Sequence, residues 1–310
     1  MDRLLTIVEP VLYGDIFDFP VTLDEVHRFC RLPMSTEQLR LALADEQGAG
    51  RIVSQVDEFY VMRGREALVD TRRRRAARSR QARRRARTLM RFVKYLPFVR
   101  GSLMTGSTAT DNARQRDDLD YLVLVHPGRM WLVFGVLGTL QRLGLGRVLC
   151  VNYYLSVDSL GLTERSPYVA RELLQARPLV GADHVRRLYG ENRWIAEIYP
   201  NASSSHEQVP NLETDDRRGA ARHLAERFEG LLGGQLGDAL EGGARRLLEH
   251  RLPVHYGKHG RELPAEVRRR ALDGEELRFH ANDYSRTIAD ELDHRRELAR
   301  SRLRLSEETG

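Results

Sequence analysis

The chain of 310 residues is longer than one hydrophobic core usually serves, so two or three domains are expected. Charged residues make up 30% and mean hydropathy is -0.48; the longest apolar run, Met130–Leu140, is far short of the ~20 residues that span a bilayer, so a soluble protein without a membrane span is expected. A net charge of +6 and a pI near 9.5 favour acidic partners such as nucleotides or nucleic acid. Cys30 and Cys150 have no partner at metal-ligand spacing, which argues against a disulfide framework and a zinc site. The opening Met1-Asp2-Arg3-Leu4-Leu5 has no basic region leading into an apolar block, so a cytoplasmic location is expected.

Residues 1–67 read as a winged-helix-like domain. Thr22-Leu23-Asp24-Glu25 and Ser35-Thr36-Glu37-Gln38 are capping boxes that each start a helix, and strand-like runs at 51–55 and 59–62 close the unit as a hairpin. Such units often place a helix in the DNA major groove. Here the helix expected over 35–47 carries Glu37, Asp45 and Glu46 against Arg40 alone, so a structural or docking role is expected instead.

Residues 68–94 form a basic connecting helix, with arginines at 72–75, 78, 80, 83–85, 87 and 91 and no glycine or proline from 71 to 91. It offers either an electrostatic groove for nucleic acid or a triphosphate tail, or a solvated helix whose arginine stems cover apolar surface. The lack of interleaved aromatics favours the second. A catalytic segment is expected over 95–201, a polar linker over 202–211, and an all-helical domain over 212–310. In that domain Leu224, Phe228, Leu231 and Leu232 recur on one helix face, and further helices are expected at 239–252 and 284–303.

The chemistry concentrates between Gly106 and Val125. Residues from 118 read as a strand, and alternation puts Asp118 and Asp120 on one face and Leu119 and Tyr121 on the other. Two like charges at the mouth of a buried strand call for a cation, and magnesium is the natural one. Gly106-Ser107, at a turn into a short helix, would offer backbone N–H groups and a hydroxyl to a triphosphate.

Gly-Ser followed after ten residues by Asp-hydrophobic-Asp on a strand resembles the signature of the DNA polymerase β-like nucleotidyltransferase superfamily. Thr105-Gly106-Ser107, Asn112-Ala113-Arg114 and Asp117-Asp118-Leu119-Asp120 are similar to the bacterial stand-alone nucleotidyltransferase-domain proteins. So are Cys150-Val151-Asn152-Tyr153-Tyr154-Leu155-Ser156, Ala170-Arg171-Glu172-Leu173, Glu191-Asn192-Arg193-Trp194-Ile195 and Phe279-His280. The resemblance implies an α+β chain whose central α/β domain carries a small mixed sheet, between the winged-helix-like domain and the helical one.

It also implies a reaction, in which an NMP passes from an NTP to a small molecule, a protein or an RNA end, with release of pyrophosphate. Asp118 and Asp120 would bind two Mg²⁺ ions, Mn²⁺ being the alternative; Gly106 and Ser107 would hold the β/γ-phosphates, with Asn112 and Arg114 completing the nucleotide site and Arg114 reaching a phosphate. A third carboxylate usually lies on a later strand, here expected over 147–157, where Asn152 stands; an amide can ligate metal but cannot act as a base. Asp158, or Glu172 from a helix over 168–176, is the candidate for the missing carboxylate. The rival expectation is a non-catalytic nucleotide- or nucleic-acid-binding regulator. His280, with Asp283, is read as a capping or packing residue, and Trp194 and Tyr199 as packing.

Overall fold

A computed structural model describes residues 2–205, 220–258, 260–279 and 284–308, a mixed α+β chain with two small sheets. Among these residues no helix is long and apolar enough to cross a membrane.

The first unit runs α1 (Asp2–Ile16), β1 (Val21–Thr22), α2 (Leu23–Phe29), α3 (Thr36–Ala44), β2 (Val53–Val56) and β3 (Phe59–Met62). Both capping boxes form: Thr22 Oγ1 accepts from the Glu25 N–H and the Glu25 carboxylate from the Thr22 N–H, and Ser35 and Gln38 do the same. The strands pair antiparallel in the order β1-β3-β2. The strand expected from residue 51 begins at Val53, because Ala49–Arg51 makes a 3₁₀ turn.

Helix α4 (Leu68–Val93) follows. Val69, Arg72, Ser79, Ala86, Met90 and Val93 line its buried face at helical spacing, and most of its arginines face water. The central sheet comprises β4 (Val99–Met104), β5 (Asp120–Val125), β6 (Cys150–Ser156), β7 (Arg177–Val180) and β8 (Glu276–Arg278), ordered β7-β4-β5-β6-β8. It is mixed, since among the described residues β5 and β6 run parallel and the other pairs antiparallel.

Alternation along β5 divides the core. Tyr121, Val123 and Val125 pack with Trp131, Phe134 and Leu137 of α6 (Met130–Leu140). Leu122 and Leu124 face α7 (Pro167–Gln175), α8 (Ala182–Glu191) and α9 (Ile195–Ile198) through Leu173, Leu188 and Ile195. The short helix α5 (Gly106–Ala109) connects β4 toward β5.

The remaining elements are α10 (Ala220–Leu231), α11 (Gln235–Leu248), α12 (Arg251–Lys258), α13 (Ala265–Leu272) and α14 (Tyr284–Glu308). Contrary to the all-helical expectation for 212–310, this part supplies β8, which pairs antiparallel with β6. The helix expected over 239–252 is two, parted between Leu248 and Arg251. Leu292, Ala299 and Leu303 of α14 return to the core of the first unit, and Arg295 reaches Asp15 at 2.7 Å. On α10, Leu224, Phe228 and Leu231 are exposed, while Leu232 beyond it packs against the central core.

Candidate functional site

Strand β4 delivers Gly106 to the mouth of β5. The Thr105 N–H donates to the Asp120 carbonyl at 3.0 Å, and Gly106 adopts φ +67° directly against the Asp120 side chain. A Cβ on Gly106 would lie 2.6 Å from Asp120 Oδ2, so both the backbone conformation and the close approach require glycine.

The loop between α5 and β5 is tied internally. Asp117 accepts from the Ser107 hydroxyl at 2.6 Å and from the Arg114 N–H at 2.9 Å. Asn112 donates its side-chain amide to the Phe17 carbonyl and accepts from Arg75. Asp111, at φ +61°, is held by Arg83 and Arg177, and its carbonyl by Arg72. Three arginines of the basic run therefore fix the loop that carries the motif.

Asp120 is largely buried. Burial pushes its carboxyl up to about 6, with the Asp118 and Asp117 charges adding and hydrogen bonds from Cys150 and Asn152 opposing. Asp118 lies two residues earlier, exposed, with Arg147 Nε 3.8 Å away. The Cys150 thiol is pushed up to about 12 by burial and the Asp120 charge, so it is a neutral neighbour.

Asn152 occupies a bulge: Tyr121 pairs with Val151 and Leu122 with Tyr153, leaving Asn152 as the extra residue. Asn152 Nδ2 donates to Asp120 Oδ1 at 3.0 Å, and its buried Oδ1 has no hydrogen-bond partner among the described residues. The bulge lets consecutive residues Asn152 and Tyr153 serve two neighbouring cavities.

The first cavity has a volume of ≈ 420 Å³, and Gly106, Ser107, Asn112, Asp120, Asn152 and Glu172 all line it. Much of its opposite wall is Tyr13, Phe17, Phe19 and Phe29 of the first unit. A second cavity of ≈ 330 Å³ shares Thr105, Tyr168, Glu172 and Tyr284 with it and reaches Tyr153, Glu164, Tyr256 and Arg278. Glu172 thus stands in the common wall. Burial, with the Asp120 charge second, pushes its carboxyl up to about 7.

Arg171, next on the same helix turn, lines the first cavity at 4% exposure. Its guanidinium lies between the rings of Tyr13 and Phe29, 3.8 and 4.1 Å from their centroids. Among the described residues it forms no hydrogen bond or ion pair, and its Nε is buried without a partner. Cation–π contacts contribute about 0.5–2 kcal/mol each, whereas burying an unpaired ion costs several kcal/mol.

The sequence-expected residues separate in space. Gly106, Ser107, Asn112, Asp120, Asn152 and Glu172 share one cavity. Asp118 and Arg114 are exposed and are not among its lining residues. Asp158 accepts from the Ser156 hydroxyl beyond the far end of β6, on the order of 20 Å along the strand from Asn152. That distance keeps Asp158 away from the cavity that Asp120, Asn152 and Glu172 line. Trp194 and Tyr199 are buried packing residues, donating to Asn192 Oδ1 and to the Pro167 carbonyl. His280 and Asp283 lie outside the described residues. Arg171 and the aromatic wall were not singled out from sequence; the adjacent Ala170-Arg171-Glu172-Leu173 match was the available signal.

Among the described residues no group of three or more His, Cys, Asp or Glu side chains could hold a metal ion. The Asp120 carboxylate and the unpartnered Asn152 amide oxygen, with Asp118 two residues before Asp120, are nevertheless hard oxygen donors of the kind Mg²⁺ takes. No family model matches the chain, and neither a curated protein nor a solved structure does.

Proposed function

We propose that the chain is a nucleotidyltransferase of the DNA polymerase β-like kind, which moves an NMP from an NTP to a hydroxyl-bearing acceptor. The observation that carries this reading is the convergence of Gly106, Asp120, Asn152 and Glu172 on one cavity, joined through Glu172 to a second. The order β4, Gly-Ser turn, α5, β5 with the aspartates at its mouth, α6, β6 supports it. The β1-β3-β2 sheet with three helices supports a winged-helix-like first unit, whose role here is to wall the nucleotide cavity.

Two Mg²⁺ ions, or Mn²⁺, held by Asp118, Asp120 and the Asn152 amide oxygen would neutralise phosphate charge and align the attacking and leaving oxygens. Gly106 lets the chain approach Asp120 closely, and Ser107 and Asn112 border the nucleotide. The acceptor enters from the second cavity. Its hydroxyl oxygen forms a bond to the α-phosphorus and its proton passes to Glu172; the bond from the α-phosphorus to the bridging oxygen breaks, and pyrophosphate leaves with the electron pair. A carboxyl with a pKa of about 7 suits that proton transfer near neutrality.

The test supplies each α-labelled NTP with Mg²⁺ and a cell-extract acceptor pool, following pyrophosphate and labelled product. Wild type is expected to label an acceptor and Asp120→Asn is not. Nucleotide binding with no transfer to any acceptor would move a second reading ahead, that of a nucleotide- or nucleic-acid-binding regulator. Asn152 in place of a carboxylate and the exposed arginines of α4 favour that second reading.

A further inference from the structure

We infer that Arg171 is a ready-made anion site, taking a phosphate group of the ligand in the first cavity. The inference rests on the nucleotide reading above for the identity of that ligand. The rings of Tyr13 and Phe29 both pack against the guanidinium. Its N–H donors lie in one plane at the edge of the group; Nε is buried without a partner, and the guanidinium makes no hydrogen bond among the described residues.

A planar edge of unsatisfied donors is the geometry that binds phosphate oxygens in pairs. Arginine cannot escape burial by losing its proton. Glu172, next in sequence, is raised by burial and by the Asp120 charge with no cation pulling it back down, so the two neighbours do not neutralise one another. Arg28, which also lies near the Phe29 ring, is different: its Nη2 is spent on the Leu174 carbonyl and it does not line the first cavity. Arg171 is therefore the buried cation for which the cavity itself must supply the counter-charge. Because both rings come from the first unit, that unit prepares the site.

Binding of inorganic tripolyphosphate and of ATP, GTP, CTP and UTP would be measured by calorimetry on the full chain. Wild type, Arg171→Gln and Arg171→Lys would be compared, with melting curves of each free protein. Arg171→Gln is expected to lower affinity for tripolyphosphate and for the preferred NTP by 100-fold or more. The free variant should melt no lower than wild type, since an uncompensated buried charge has been removed. Arg171→Lys keeps the charge without the paired donors and should fall between.

Equal triphosphate affinity in wild type and variants overturns the inference, as does a variant that melts well below wild type yet binds as tightly. If Arg171→Gln does not fold, Arg171→Lys decides by the same comparison. Loss of binding in the variants from a wild type that never transfers NMP upholds the anion site and defeats the enzyme reading. Transfer that survives Arg171→Gln with unchanged KM for NTP does the reverse. A wild type that binds neither tripolyphosphate nor any NTP defeats both.

Discussion

Replacing Asp120 by asparagine should stabilise the metal-free protein at alkaline pH. In the folded chain its carboxyl is raised from 3.8 to about 6 by burial. Below pH 4 it is protonated in both folded and unfolded states and contributes nothing. As pH rises from about 4 to 6 the unfolded chain has given up the proton while the folded one still holds it, so stability falls. Each tenfold difference in proton affinity is worth 1.36 kcal/mol, and the Asp120 carboxylate therefore costs the folded state about 3 kcal/mol at pH 8. The asparagine side chain would keep an oxygen able to accept the Asn152 Nδ2 bond and carry no charge. It would also relieve Glu172 of the neighbouring charge that helps raise its pKa. Urea unfolding in EDTA should then show Asp120→Asn more stable than wild type by about 3 kcal/mol at pH 8 and equal to it at pH 3. A variant no more stable than wild type at pH 8 would refute the claim that this carboxylate sits buried and unbalanced.

Three further outcomes follow from the same geometry. Gly106→Ala forces a Cβ to within 2.6 Å of Asp120 Oδ2 at φ +67°, and should cost at least about 1–2 kcal/mol in urea unfolding besides abolishing transfer; unchanged stability would mean the close approach is not real. Glu172→Gln should lower kcat by about 10²–10⁴-fold with NTP affinity kept, and should remove the limb of the pH profile that rises through about 7 as the base loses its proton. Val169→Trp, which fills the second cavity, should raise KM for the acceptor and leave NTP binding as it was; equal effects on both substrates would place the acceptor elsewhere.

The strand at Asp120 and the Gly-Ser turn were legible because β-alternation is strict: Leu119 and Tyr121 are buried and Asp120 lines a cavity, but the strand begins at Asp120, so Asp118 lies ahead of it, exposed and outside that cavity. The caps at Thr22 and Ser35 were legible because they depend on residues three apart. What the apolar faces meet was not. The pattern marked a helix over 284–303, yet the partner of α14 is the core of the first unit, nearly the whole chain away. Three residues, Glu276-Leu277-Arg278, carry too little pattern to be read as a strand. The bulge at Asn152 has no local signature, although it gives Asn152 and Tyr153 to one face. Nor could sequence show that Arg171 is buried between rings borrowed from residues 13 and 29.

The arginine run illustrates the same limit, because one composition serves two purposes that only packing separates. Arg72, Arg75 and Arg83 are spent on the loop from Thr108 to Asn112. Arg78, Arg80, Arg84, Arg85 and Arg87 are exposed and make no ion pair among the described residues. At 100° per residue, Arg80, Arg84 and Arg87 form one row and Arg78 and Arg85 another, on either side of the solvent face. If transfer is the function, glutamine at these five positions should leave NTP affinity and kcat within about twofold, since none of them lines either cavity and exposed changes of this kind move stability little. If nucleic acid is a partner, the same variant should lose it. Five contacts set a ceiling on the salt dependence of single-strand binding, a slope of roughly -3.5 in log affinity against log salt. A steeper slope in wild type would require basic residues beyond this face. Loss of NMP transfer to a small acceptor in the glutamine variant would show instead that the outer arginines belong to catalysis, which the placement of the two cavities argues against.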